Sequence, residues 1–139
     1  MKALAVLALL LGVLAVLSPA PQTDSIETGA RSIALNYAVF RNAAFLHAFK
    51  HRANGPIAQA DLDLPTEWHA LRYWTARIEG GRCYVYGPAS AEEISAVRDI
   101  FQGSLAVGRA SDGRLVPDGL TPLPEFIPSG SLVSVIEVR

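Results

Sequence analysis

Between residues 30 and 52 apolar side chains recur with the period of an α-helix, and no other stretch of the sequence constrains the fold as strongly. Ile33, Tyr37, Phe40 and Ala44 stand at i, i+4, i+7 and i+11, and Ala34, Ala38, Phe45 and Phe49 widen the same side. Arg31, Asn36, Arg41, Asn42 and Lys50 fall largely on the other side. Lys50, His51 and Arg52 suit the negative end of the helix dipole, and Asn54, Gly55 and Pro56 stop the helix. A helix with one apolar side needs a second layer to bury it, so Tyr37, Phe40 and Phe45 are expected to pack on a sheet.

Short segments with strand signals follow. Leu62 and Leu64 alternate before Pro65. Residues 71–78 read as a strand, with Leu71, Tyr73, Thr75 and Arg77 on one face and Trp74, Ala76 and Ile78 on the other. Gly80-Gly81 joins it in a hairpin to 82–87, where Cys83 and Val85 oppose Tyr84 and Tyr86. Ser90 and Glu93 form a capping box that opens a second helix, whose apolar side is Ile94, Val97, Ile100 and Phe101 and whose end is Gly103. Residues 105–107 and 114–116 read as short strands around the turn Ser111-Asp112-Gly113. Residues 117–128 are a Pro-rich loop, and 131–138 a closing strand. The fold class is α+β: a long amphipathic helix covered by an antiparallel sheet.

Ahead of the helix, Met1 and Lys2 precede an unbroken apolar run over residues 3–17, closed by Ser18, Pro19, Ala20 and Pro21. Fifteen residues fall short of the roughly 20 that span a bilayer, which is the layout of a secretory signal. Ser18 and Ala20 have the small-x-small spacing of a cleavage site, whereas Pro21 obstructs cleavage and favours a retained anchor. The expected division is a signal or anchor at 1–20, a linker at 21–29 rich in polar residues, and one α+β domain at 30–139. The domain then belongs in the periplasm, tethered to the inner membrane if the segment stays and free if it goes.

Half of the 139 residues are hydrophobic, enough for a core, and the net charge of -1 gives no pull toward nucleic acid. The lone Cys83 cannot form an intramolecular disulfide. Its place in a strand marks a small buried residue rather than a nucleophile. His47 and His51 are spaced to share a metal on one helix face, but two solvated histidines at a helix end are the commoner outcome. Glu92 and Glu93 are explained by capping and dipole compensation. No nucleophile-elbow, phosphate-loop or dinucleotide glycine pattern occurs, so no catalytic, cofactor or metal residues are assigned. Tyr73, Trp74, Tyr84 and Tyr86 are expected to pack against the long helix, with the Tyr84/Tyr86 face open as a contact surface. In the Pro-rich loop, Leu120, Leu123, Phe126 and Ile127 are held stiffly by Pro117, Pro122, Pro124 and Pro128 and lose little entropy on docking, which suits a partner contact. The plainer role for Phe126 and Ile127 is to cap the sheet.

Several short motifs carry a family resemblance: Asn36-Tyr37-Ala38-Val39-Phe40-Arg41-Asn42-Ala43 in the helix, then Leu62-Asp63-Leu64-Pro65, Trp74-Thr75-Ala76-Arg77-Ile78, Tyr84-Val85-Tyr86-Gly87 and Ile127-Pro128-Ser129-Gly130-Ser131-Leu132-Val133. The sequence resembles the PilM family of type IVB pilus operons, which serve conjugal transfer. The resemblance implies a non-enzymatic accessory protein of pilus biogenesis, in the inner membrane or periplasm, whose partners are other pilus-machine proteins. It implies neither a cofactor nor a small-molecule substrate. The order of apolar segment, long helix and sheet is also pilin-like, which leaves a minor subunit of a pilus or type II-like secretion system as the alternative. The glutamate that pilins carry in the apolar segment is absent. A third class is a periplasmic enzyme or small-ligand binder using the aromatic strands.

Overall fold

The computed structural model describes residues 22–139; the expected signal or anchor lies outside them. Helix α1 (Gln22–Lys50) is 29 residues long, about 43 Å at 1.5 Å per residue. The polar stretch 22–29, expected as linker, is its first two turns. Six strands then form one sheet: β1 (Gly55–Ile57), β2 (Thr75–Glu79), β3 (Arg82–Gly87), β4 (Val107–Ser111), β5 (Arg114–Val116) and β6 (Leu132–Glu137). Helix α2 (Ala91–Ile100) lies between β3 and β4 in sequence. The spatial order is β1-β2-β3-β6-β4-β5, antiparallel throughout.

The hairpin β2–β3 turns on Gly80 and Gly81, at φ +59° and +75°, which a two-residue turn matching the strand twist requires. The expected strand at 71–78 begins only at Thr75, because 71–74 is bent back to meet α1. Gly55-Pro56 stops the helix and at once forms β1, at the sheet edge where proline's missing N–H costs no ladder bond. The last strand does not close the sheet but fills its middle, pairing with β3 through Cys83↔Ile136 and Tyr86↔Val133 and with β4 through Gly108↔Val133.

Alternation along the strands makes two cores. On one face Ala76, Ile78, Cys83, Val85, Val107 and Leu132 meet Tyr37, Phe40 and Ala44 of α1 and Ile94 and Val97 of α2. On the other face Tyr84, Ala110, Leu115 and Val133 lie beneath Leu123 and Ile127 of the Pro-rich loop. The architecture is therefore helices, sheet and loop, in three layers. Trp74 packs on Tyr37 as expected, but Tyr84 and Tyr86 pack under the loop, not against α1. Tyr73 faces solvent at 82% exposure.

Polar groups tie the layers together. The Tyr37 hydroxyl donates to the Val85 carbonyl at 2.8 Å and is 2.7 Å from Ser134 Oγ, so the serine hydroxyl is free to donate to it. Asn36, which the helix periodicity puts on the polar side, is a clip. Its amide donates to the His69 carbonyl, and its oxygen accepts from Leu71 N–H and Trp74 Nε1–H. Arg41, also assigned to the polar side, lies over the Phe45 and Phe101 rings at 4.5 and 3.9 Å and joins the two helices.

Candidate contact surfaces

Two of the groups weighed for chemistry, Glu93 and Cys83, have structural roles. Glu93 accepts from the Ser90 N–H at 3.1 Å with one carboxylate oxygen and from Arg72 at 2.7 Å with the other. Ser90 Oγ caps the Glu93 N–H in return, as the capping box predicts. Cys83 is fully buried, and burial pushes its thiol up to about 12. The His47 and His51 rings lie 4.6 Å apart between centroids, tilted by 34°, and among the described residues no group of three metal-ligating side chains includes them.

The Cys83 environment yields a prediction. In the native protein the thiol does not react with iodoacetamide at pH 8, while in guanidinium it alkylates freely; mass spectrometry distinguishes the two. The folded state holds this proton above the ordinary value of 9.0, so the unfolded chain ionises first. Burial raises the Tyr37 hydroxyl in the same direction. The denaturation midpoint therefore falls as pH rises from about 9 toward 12, and a flat profile there contradicts this burial.

The four loop residues singled out in the sequence do not form one surface. Leu123 and Ile127 are buried in the second core, Phe126 is half-buried, and Leu120 stands 79% exposed. Phe126 packs edge-on against Tyr84 and obliquely against Tyr86, each at 5.9 Å, with Arg77 over its ring at 4.8 Å. Asp118 shapes the exposed tip, accepting from Leu120 N–H, Thr121 N–H and Thr121 Oγ1–H, and the threonine hydroxyl bond holds its carboxyl below the usual range.

Phe126 also borders a shallow groove of about 490 Å³ on the loop side of the sheet. Tyr73 and Tyr86 line it from the strand side, and Pro88 and Pro128 from the loops, with no charged residue. An exposed tyrosine and two half-buried aromatics beside prolines and serine hydroxyls suit neutral, partly apolar recognition. The sequence singles out Tyr86 on the Tyr84/Tyr86 face, whereas Tyr73, expected in a strand, reaches the groove from the bend before β2. The groove's other wall depends on how the loop folds back.

A second surface runs along α1. Leu35, Val39, Leu46 and Phe49 are exposed, with Leu46 at 63%. At 100° per residue they point away from Tyr37, Phe40 and Ala44. Phe49, expected on the core side, belongs to this outward set at 44% exposure. Their spacing of four, seven and three was available as a signal in the sequence.

The PilM family model matches residues 6–135. The chain belongs to the PilM family. Its fold resembles the crystal structure of a protein named PilM from Escherichia coli B7A, with a TM-score of 0.56 and 21% identity over 86% of this chain and 97% of that one. No curated protein matches the chain. Membership ties this PilM-family chain to pili, as the resemblance in the sequence implied, and to association with pilus-machine proteins. Among the described residues no helix is long and apolar enough to cross a membrane.

Proposed function

We propose that the chain is a non-enzymatic accessory component of type IVB pilus biogenesis that serves conjugal transfer. It acts by holding other pilus-machine proteins, with Tyr73, Tyr86 and Phe126 as the contact groove and Leu120 exposed on the same loop. The domain works in the periplasm, attached to the inner membrane if residues 1–20 are retained. The family match across residues 6–135 carries this reading. The commitment of Glu93 and Cys83 to capping and burial supports it.

Pilus counts test the proposal in a deletion strain complemented with variants. Tyr73→Asp touches a side chain that is 82% exposed, so its effect on stability stays within about 0.5 kcal/mol while pili are lost. Cys83→Ser and the double variant His47→Ala/His51→Ala, provided they fold, assemble pili at normal levels. Normal piliation in Tyr73→Asp would remove the groove from the account, and loss of pili in a folded Cys83 or histidine variant would reopen an enzymatic role. The helix-then-sheet order also supports a minor pilin-like subunit. Recovery of the chain in sheared fibres would favour that reading, and its retention in the cell fraction the accessory one.

A further inference from the structure

Between residues 33 and 49, α1 is apolar on two opposite sides, and only one of them is covered. A helix apolar all round is normally enclosed by protein or lipid. We propose that the outward face of α1 lies on an anionic lipid surface, with Leu35, Val39, Leu46 and Phe49 dipping among the acyl chains. The inference rests on the membrane location proposed above.

Charge selects this occupant. From Thr28 to Ala60 the sequence holds no carboxylate, although the whole chain carries -1; of the four cations there, Arg41 lies between the helices, and Arg31, Lys50 and Arg52 are exposed. Arg31 and Lys50 are exposed and flank the apolar set at its two ends, where cations reach phosphate headgroups. Carboxylates gather at a groove between the first turns of α1 and α2, lined by Glu27 of α1 and by Glu92 and Asp99 of α2, with Arg31 at its edge. A second copy docked here would set two carboxylate-free basic faces against each other. Four part-exposed apolar side chains also fall well short of the about 20–30 residues a side of a stable protein interface. A membrane contact needs no such area, because the apolar run at 3–17 ends five positions before α1 begins and would hold the helix at high effective concentration near the bilayer. The helix is not apolar enough to cross, so it lies on the surface. The sheet then separates this face from the aromatic groove, which points to the aqueous side.

Collision accessibility of a nitroxide tests this on the full-length chain in vesicles of phosphatidylglycerol and phosphatidylcholine. Labels go on Leu46→Cys, and on Glu125→Cys as an exposed loop-side control; Cys83 is buried and stays unlabelled. At position 46 the nickel-complex collision rate falls about tenfold relative to vesicle-free protein while oxygen access persists, and Arg31→Gln/Lys50→Gln reverses much of the effect. Position 125 stays accessible to nickel. A chain that floats with vesicles but leaves position 46 as nickel-accessible as 125 overturns the inference alone. A label shielded from both oxygen and nickel means protein covers the face, which also overturns it. A chain that does not float overturns both the inference and the membrane location.

Discussion

Replacing Phe40 by alanine lowers the stability of the domain by about 3–5 kcal/mol, measured by denaturant unfolding. The ring is 1% exposed and stacks on Trp68 at 5.9 Å with an interplanar angle of 22°. It sits where α1 meets the segment between β1 and β2, and those elements cannot collapse into the space without moving the helix off the sheet. A loss of this size is a large part of the 5–15 kcal/mol that holds a typical domain together. The conservative Phe40→Leu retains most of the volume and costs less. If Phe40→Ala melts like the parent, the core side of α1 is not the side assigned here.

Gly108→Ala is the second large effect, at about 3 kcal/mol or more. A Cβ built on Gly108 comes 1.8 Å from the Val116 carbonyl oxygen and 3.3 Å from Pro117 Cδ. The nearest obstacle is backbone, so no rotamer change relieves it. Gly108 pairs with Val133 of β6, and its neighbour Arg109 pairs with Val116. Alanine must therefore push β5 and the start of the Pro-rich loop away from the sheet, loosening Leu115, Leu123 and Ile127 together. Protease cleavage within 117–128 should appear in this variant before global unfolding. An unaltered melting temperature and protease pattern would show that β5 does not approach β4 as described.

Local pattern carried much of the fold. The core side of α1, the hairpin at Gly80-Gly81 and the capping box at Ser90 each follow from neighbours within a few residues, and each is present. What was not legible depends on distant partners. The central place of β6 follows from pairing with β3 across 45 to 55 residues, from Gly87↔Leu132 to Arg82↔Glu137, which no local period encodes. The polar stretch at 22–29 reads as linker because Ser and Thr compete with helix formation, yet it continues the first turns of a long helix. Asn36 looked solvent-facing until the bend at 71–74 supplied its partners. The contact surfaces were half-legible for the same reason. The sequence marked the Tyr84/Tyr86 face as a contact surface, but only the folded loop shows that Leu123 and Ile127 serve the core while Tyr73 and Leu120 stay open.

The central claim is that this chain works by holding a pilus-machine protein through the loop side of its sheet. Photo-crosslinking in cells making the whole apparatus tests it most directly, with the reactive residue placed at Tyr73, Leu120 or Glu125 and at Asp99 as control. The account predicts an ultraviolet-dependent adduct with an identified inner-membrane or periplasmic pilus protein from Tyr73 and at least one loop position, and none from Asp99. Piliated cells that yield no adduct from Tyr73, Leu120 or Glu125 would contradict it.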